Sequence, residues 1–449
     1  MNVLYITVDA LRNDHVCEDI MPRTAELFSR SINFTNCIAN GPGTPWSFPA
    51  ILSSRYSGAT DGFGIPSAEN DPHPTLAEEL SDEGYSTAGF TDNRFASSAY
   101  NYDRGIEHMS DTDATSNLKA FKQFLRKNLN QEGLTFQTIL RFYHILDNLF
   151  VGFSSKESRF VRSEALVDSL LEWSQNESKW FAWLHPMDVH APYEAPDRYQ
   201  RQYLDEPVDR VRCQNLSRKA VHHPEELSSE DWELQQRLYK AECSYLDDQI
   251  DTLLSTLQQR GQLSNTLIVF TADHGDMHGE HRRGGHPQEF WEEIVHVPLA
   301  ISSPKLSSRT VDEQIGLIDL PPTVLAHLGM NPPSKWDGVP FDLSCESVSP
   351  REHVFIDVGE DLNRDHAAVR RSDGMKLMRH REDGEFLFDI AECPSETDTL
   401  SSSNEAYSEL NNCLENHLDE MEKRRSGELK GVDDEEMIEE HLKELGYLE

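Results

Sequence analysis

Short runs of β-branched and aromatic residues alternate along the chain with polar segments of helical periodicity. The clearest apolar runs occupy residues 3–8, 86–90, 180–184, 267–271 and 297–301. Runs of this length predict buried strands, whereas the apolar spacing at 75–80 and 245–257 predicts helices. This alternation predicts an α/β domain in which helices cover both faces of a mostly parallel sheet.

Two parts of the chain depart from this alternation. Between about 111 and 165 the apolar positions form helical stripes, which predict a helical insertion that caps the sheet. Around 330–350 Pro, Ser and Gly become frequent, which indicates a domain boundary. We therefore predict a main domain at 1–330 and a smaller α+β subdomain at 331–449.

The smaller subdomain has its own pattern of apolar positions. Four short runs predict the strands of an antiparallel sheet, at 354–357, 367–371, 375–378 and 386–388. The chain after 395 is polar and acidic. Its last apolar positions share one helical face, which predicts a docked or frayed acidic terminal helix carrying Met437, Ile438, Leu442 and Leu445.

Charge sets this composition apart from that of an ordinary enzyme. The 449 residues include 41 Lys+Arg and 79 Asp+Glu, so the net charge is −38 at pH 7. A nucleic-acid binder needs a basic surface, and we therefore exclude that class of protein. Because 37% of the residues are hydrophobic, the chain can fold around a core. A folded, acid-rich chain predicts a halophilic protein, with an ordinary acidic enzyme as the alternative.

Cysteine usage and the N-terminus bear on the compartment. The seven Cys are widely spaced and include no CxxC pair, which predicts reduced thiols rather than a disulfide framework or a zinc ribbon. The first apolar run has no basic flank and ends in Asp9. No stretch approaches the roughly 18 apolar residues of a membrane span. We expect a cytoplasmic protein without a membrane span.

Acidic residues end two of the predicted strands. Asp9 follows 3–8, and Asp273 with His274 follows 267–271. Ligands collect at the carboxyl ends of strands in open α/β sheets, so these three side chains can converge on one divalent cation. A turn or a helix cap is the alternative for each aspartate.

A further segment has the composition of a helix start that binds an anion. Gly41-Pro42-Gly43 leads into Thr44-Pro45, which predicts Thr44 as the N-cap and Pro45 as the first helical residue. Free backbone N–H groups at such a terminus favour an anion beside the hydroxyl. A purely structural cap is the alternative.

This segment resembles the signature of the sulfatase family within the alkaline phosphatase superfamily. In that signature a catalytic Cys, converted to formylglycine, precedes x-Pro-Ser-Arg and, further on, Leu-Thr-Gly-Arg. Thr44 stands at the catalytic position, Ser47 at the Ser and Arg55 at the final Arg. Other segments similar to family motifs follow in the family's order, at 271–276, 285–299, 318–325 and 384–396.

The resemblance implies a fold. That fold is an alkaline phosphatase-like α/β/α sandwich with a large mixed, mostly parallel sheet. A small C-terminal antiparallel sheet with a helix accompanies it. Residues 1–330 would then be the catalytic domain.

Three departures from the signature redirect the chemistry. Thr44 replaces Cys, so no formylglycine is expected, and Phe48 stands where a helper Arg belongs. Ala10 follows Asp9 where many sulfatases have a second Asp. In other branches of the superfamily, such as lipoteichoic acid synthases and nucleotide pyrophosphatase/phosphodiesterases, a Thr at this position is the nucleophile. Similarity to those branches implies a site for Ca, Mn, Mg or Zn formed by Asp9, Thr44, Asp273 and His274.

The activity implied by the resemblance is hydrolysis or transfer of a sulfate or phosphate ester through a covalent Thr44 intermediate, with a phosphoester favoured. The leaving oxygen needs a general acid, for which His190 is the first candidate and His185 the second. The expected substrate contacts are His286, Ser47 and Arg55. We expect a small-molecule, glycan or lipid ester as substrate, and the oligomeric state stays open.

Two alternatives to this activity remain. One is an arylsulfatase-like sulfuric ester hydrolase that works without formylglycine, and the other is a non-catalytic binding protein with the sulfatase fold. A second metal is also permitted by a set of acidic and histidine residues, namely Asp276, His278, Glu280, His281 and His286, with Asp188.

Overall fold

A computed structural model of the protein describes residues 1–60, 62–69, 71–111, 161–286, 288–359, 364–425, 437–439 and 441. The helical insertion predicted at about 111–165 lies almost entirely outside the described residues, and so does most of the predicted terminal helix. Of that helix, Met437 and Ile438 are described, and both pack against the main hydrophobic core.

The strands of the described residues form three sheets. The largest has nine strands: β1 Asn2–Val8, β2 Ile32–Ile38, β3 Ser86–Thr91, β4 His108–Ser110, β5 Trp180–His185, β6 Thr266–Ala272, β9 His296–Ser302, β10 Arg309–Val311 and β11 Ile315–Gly316. A short hairpin pairs β7 Met277–His278 with β8 Gly284–Gly285. The third sheet contains β12 His353–Asp357, β13 Ala367–Arg371, β14 Met375–His380 and β15 Gly384–Asp389.

The strand order of the large sheet creates the edge on which the site lies. That order is β10-β2-β9-β6-β1-β5-β3-β4, with β11 paired to β2. Strand β1 runs parallel to β5 and β6, and β3 runs parallel to β5. Only β9 among these strands is antiparallel to its neighbours, β2 and β6. The carboxyl ends of β6, β1, β5 and β3 therefore meet along one edge.

The helices of the described residues are Pro22–Ser29, Thr44–Ser53, Leu76–Asp82, Ser163–Trp173, Asp197–Gln200, Arg210–His222, Ser229–Gln259, Glu292–Val295, Leu320–His327 and Glu405–Arg425. Two of them start with a capping box, formed by Thr75 with Glu78 and by Ser228 with Asp231. Among these helices, none combines the length and the apolar character needed to cross a bilayer.

The small sheet has a helix of its own. Side chains of β13, β14 and β15 pack against the apolar face of Glu405–Arg425, which carries Leu410, Leu414 and Leu418. The sheet is antiparallel, as predicted, and its strand order is β12-β13-β14-β15. A large, mostly parallel sheet with helices and a separate small antiparallel sheet confirm the predicted fold class. The division at 330 stays a prediction.

Candidate active site

Asp9, Thr44 and Asp273 meet at the edge where β1 and β6 end. The Thr44 Oγ1 atom lies 2.9 Å from Asp273 Oδ2 and 3.3 Å from Asp9 Oδ2. Both carboxylates have 0% exposure and Thr44 has 1%. The hydroxyl group predicted to act as nucleophile therefore contacts two buried acidic groups that the sequence had placed at strand ends.

The helix start differs slightly from the prediction. Gly43 is the N-cap and Thr44 is the first helical residue, so Pro45 occupies the second position. Because Thr44 does not cap, its hydroxyl can point to the carboxylates. Gly41 is required just before this turn, since a side chain there would lie 2.4 Å from the Trp46 carbonyl carbon.

One oxygen of the Asp273 carboxylate is held by backbone N–H groups, and the other faces Thr44. Its Oδ1 accepts hydrogen bonds from the Ala10 N–H at 3.2 Å and the His274 N–H at 2.9 Å. Ala10 has a φ of 54°. The residue that departs from the two-aspartate pattern of many sulfatases thus contributes its backbone to the site.

Two histidines turn one ring nitrogen toward this group. His274 Nε2 lies 3.5 Å from both Asp273 Oδ2 and Thr44 Oγ1. His185, at the end of β5, has its Nε2 atom 3.3 Å from Asp9 Oδ2. His274 was a predicted metal ligand, whereas His185 was the second candidate for the general acid.

Asn93 belongs to the site and was not predicted. Its Nδ2 atom lies 2.5 Å from Asp9 Oδ2 and 3.1 Å from Thr44 Oγ1. Asn93 lies just after the end of β3, as Asp9 and Asp273 lie just after the ends of β1 and β6. Its position after a strand could therefore have indicated a site residue. Asn is also common in turns, however, so the residue type alone does not separate the two roles.

The charged groups in the site shift one another's pKa. Burial alone would raise the pKa of Asp9, but the charge of His190 and a hydrogen bond with His185 hold that pKa well below its ordinary value. Burial, together with the charge of Asp9, raises the pKa of Asp273. Burial lowers the pKa of His185, but hydrogen bonding to Asp9 reverses this and leaves it above its ordinary value.

His190 and His286 border this group. The rings of His190 and His286 are 5.0 Å apart, and those of His286 and His274 are 4.2 Å apart. Burial and the charge of His274 lower the pKa of His286 to about 4, so its imidazole is neutral at pH 7. The structure thus brings both predicted histidines beside the predicted ligands.

Residues 1–330 match the model of the family described as Sulfatase. The chain belongs to the sulfatase family. It is 31% identical over 170 residues to the choline-sulfatase of Rhizobium meliloti, an alignment covering 37% of this chain and 33% of the relative. It is 23% identical over 450 residues to the ulvan-active sulfatase of Formosa agariphila, covering 95% of this chain and 80% of that protein. The chain therefore matches about a third of the length of the choline-sulfatase.

A solved structure extends the comparison to the whole fold. The phosphonate monoester hydrolase SpPMH from Silicibacter pomeroyi superposes with a TM-score of 0.66 at 21% identity, covering 94% of this chain and 95% of that one. The expected alkaline phosphatase-like fold is confirmed by this likeness.

Two residues of the sulfatase signature have structural partners. The Ser47 hydroxyl donates to the Gly41 carbonyl at 2.8 Å, and the Arg55 Nη2 atom lies 2.8 Å from both oxygens of Asp71. Ser47 and Arg55 are 0% and 1% exposed. Their predicted contact with substrate stays a prediction, and these contacts assign each of them a role in holding the helix Thr44–Ser53.

Most of the residues predicted for a second metal contact residues outside that set. The His278 ring packs 4.5 Å from the Tyr239 ring, and the His281 ring stacks 3.7 Å from that of Trp291. Glu280 pairs with Arg12, Asp188 with Arg162, and Asp276 with His286. Asp276 with His286, and the His278 N–H with Glu280, are contacts between members of the set, and a second metal stays a prediction.

Proposed function

We propose that this sulfatase-family protein hydrolyses or transfers a phosphate or sulfate ester through a covalent intermediate on Thr44, with a phosphoester favoured. The observation that carries the proposal is the position of Thr44 Oγ1, 2.9 Å from Asp273 Oδ2 and 3.3 Å from Asp9 Oδ2. A hydroxyl shared by two buried carboxylates supports a role as an activated nucleophile rather than as a helix cap.

The donor set fits a divalent cation. Asp9 Oδ1 is buried and accepts no hydrogen bond from the part of the chain that the structure describes, although it belongs to an ionised carboxylate. Buried carboxylates are normally neutralised by a partner or by a metal ion. Asp9, Asp273, His274 and the Thr44 hydroxyl would hold that ion. A bound divalent cation would favour the alkoxide of Thr44 and offset negative charge on the ester oxygens.

The protein's own groups account for the proton transfers. The Thr44 hydroxyl donates its proton toward Asp273 Oδ2, and Oγ1 forms a bond to phosphorus as the bond to the leaving oxygen breaks. His190 gives a proton to that oxygen. The His190 Nδ1–H donates to the Ala191 carbonyl at 2.7 Å, so Nε2 is the atom that would exchange protons with substrate. Water or an alcohol then opens the phosphothreonine: His190 accepts the proton of the attacking hydroxyl, the bond between phosphorus and Oγ1 breaks, and the proton on Asp273 returns to Oγ1.

The nature of the nucleophile favours phosphorus over sulfur. A sulfated formylglycine breaks down by elimination from a geminal diol, whereas a sulfated Thr has no second hydroxyl and would persist. A phosphothreonine can be opened by in-line attack when its oxygens are held. The name of the Silicibacter pomeroyi structural neighbour, a phosphonate monoester hydrolase, is consistent with chemistry at phosphorus on this fold.

A sulfuric ester hydrolase is the second candidate. It is favoured by the family itself and by relatives whose names include choline-sulfatase and N-acetylglucosamine-6-O-sulfatase. Those names point to small-molecule or glycan esters as the substrate class. A non-catalytic sulfatase-fold protein would turn over neither kind of ester.

Parallel assays of the purified protein test these candidates. The assays measure cleavage of three substrates in the presence of each divalent metal in turn: nitrophenyl phosphate, a bis-nitrophenyl phosphodiester and nitrophenyl sulfate. Wild type, Thr44→Ala and Thr44→Ser are compared. We expect the phosphoesters to be cleaved faster, Thr44→Ala to be inactive and Thr44→Ser to keep part of the activity. Intact-mass spectrometry after rapid quenching should detect a phosphoryl adduct in wild type only. Full turnover by Thr44→Ala would refute the covalent mechanism, and faster sulfate cleavage would favour the second candidate.

A further inference from the structure

We propose that His185 is a direct metal ligand, and that it makes this site selective for a transition metal such as Zn²⁺ over Ca²⁺ or Mg²⁺. The inference rests on the proposed metal-dependent function and narrows its cofactor. It also reassigns His185, which the sequence offered only as a second candidate for the general acid.

The position of His185 supports this assignment. It ends β5, the strand next to β1, and its side chain has 0% exposure. Its Nε2 atom lies 3.3 Å from Asp9 Oδ2. One ligand atom each from Asp9, His185 and Asp273 lie within 4.8 Å of one another. Two opposite ligands with bonds of ~2.1 Å to one ion stand ~4.2 Å apart, so a small contraction brings all three into one coordination shell.

The protonation of the His185 ring follows from its other nitrogen. Nδ1 is hydrogen-bonded to the carbonyl oxygen of Thr7. A carbonyl only accepts, so Nδ1 carries a hydrogen, and Nε2 is the nitrogen that would bind a metal ion after losing the proton it shares with Asp9. A backbone carbonyl on the second nitrogen is the usual support of a metal-binding histidine.

His274 has the same arrangement from the other side of β1. Its Nδ1–H donates to the Gly275 carbonyl at 2.8 Å, and its Nε2 lies 3.7 Å from Asp9 Oδ1. Asp9 is therefore flanked by two imidazoles, each with a fixed Nδ1–H and an Nε2 atom directed at a different carboxylate oxygen.

Packing holds the His185 ring in this orientation. The ring of Phe48 stands edge-to-face against it at 4.7 Å, and Trp183 stacks at 6.2 Å. Phe48 occupies the position of the helper Arg of the sulfatase signature. With Phe rather than Arg at this position, an apolar ring packs against His185, and the group beside the carboxylates is an imidazole that can bind a metal ion.

The resulting donor set has a chemical preference. Two imidazoles, two carboxylates and one hydroxyl suit zinc or iron, because imidazole is a borderline ligand that these metals prefer. Ca²⁺ takes six to eight oxygen ligands and gains little from nitrogen. Removing one imidazole should therefore weaken zinc binding much more than calcium binding.

Calorimetric titration of the metal-free, full-length protein with Zn²⁺ and with Ca²⁺ tests this assignment. Wild type is compared with His185→Gln and with His278→Phe, a control that removes a buried imidazole elsewhere. We expect Zn²⁺ to bind wild type and the control with the same affinity, and His185→Gln roughly 100-fold or more weakly. Calcium binding should be weak and change by a few-fold at most. Equal zinc affinity in wild type and His185→Gln would overturn the assignment.

X-ray absorption at the zinc edge counts the imidazoles directly, without any assay of turnover. Wild type should have two and His185→Gln one. If the variant does not fold, wild type alone decides, because a single imidazole there would overturn the assignment. Thr44→Ala should keep both imidazoles. A protein that binds zinc through two histidines but forms no adduct on Thr44 would refute the proposed function and leave this inference standing.

Discussion

The Asn93 amide donates a hydrogen bond of 2.5 Å to Asp9, joining two strand ends that are 84 residues apart in sequence. The orientation of the amide is determined by the Phe95 N–H, which donates to Asn93 Oδ1 at 2.8 Å. Nδ2 therefore faces both Asp9 and Thr44, and Asn93 holds the proposed nucleophile and its neighbouring carboxylate in register.

Replacing Asn93 with Ala should lower kcat by roughly 100-fold, the usual effect of removing one preorganised donor from an active site. The reason is that Thr44 and Asp9 would each lose the same donor. The measurement is steady-state phosphoester cleavage at saturating metal. Asn215→Ala, on the surface helix Arg210–His222, is the control and should match wild type. An Asn93→Ala enzyme as fast as wild type would contradict this role.

Asp71 should be a stability determinant. It pairs with Arg55 at 2.8 Å and with Arg104 at 3.0 Å, and all three side chains are at most 7% exposed. Asp71→Ala would leave two buried guanidinium groups without this carboxylate, which typically costs about 3–5 kcal/mol. Urea unfolding measures the change.

The exposed pair Arg201 and Glu206 provides the control for this measurement. Its side chains are 52% and 84% exposed, so Glu206→Ala should change the free energy of unfolding by no more than about 1 kcal/mol. Equal unfolding midpoints for Asp71→Ala and Glu206→Ala would show that the buried network contributes no stability.

His278 should make the fold sensitive to acid. Burial lowers its pKa to about 4, and both its ring nitrogens lack a hydrogen-bond partner in the described structure. An unfolded histidine has a pKa of about 6.5, so between pH 6.5 and 4 the unfolded state binds a proton that the folded state excludes. Stability contributed by neutral His278 is present above pH 6.5 and is lost as the pH falls toward 4.

His278→Phe tests this pH dependence. We expect the free energy of unfolding to fall less steeply between pH 6.5 and 4.5 in the variant than in wild type, because the variant lacks one group that the unfolded state protonates. The exposed replacement His223→Gln should keep the wild-type slope. Parallel curves for His278→Phe and wild type would mean that the folded state protonates His278 readily.

The net charge of −38 predicts stabilisation by salt. Repulsion among surface carboxylates acts over a Debye length of about 30 Å at 0.01 M salt and about 3 Å at 1 M. The melting temperature should therefore rise between dilute buffer and molar KCl. A melting temperature that is indifferent to KCl would remove the halophilic prediction.

The local sequence pattern was sufficient to predict the strands that are buried along their whole length. Strands such as β1 and β6 are buried at all seven positions, and a strand covered on both faces must be apolar throughout, so each stands out in the sequence. Strand β2 was missed. It mixes buried and exposed positions, and its pairing with β9 shifts register between Phe34 and Cys37, which breaks the alternation a strand normally displays.

The sequence by itself determined the family resemblance and singled out Thr44, Asp9 and Asp273, because each of these follows from a short motif or a strand end. Tertiary structure alone decided that His185 and Asn93 join them. His185 is the last residue of β5 and Asn93 follows β3, but only the order β6-β1-β5-β3 brings those strand ends beside Asp9. Strand order results from packing between segments far apart in the chain, and no local periodicity encodes it.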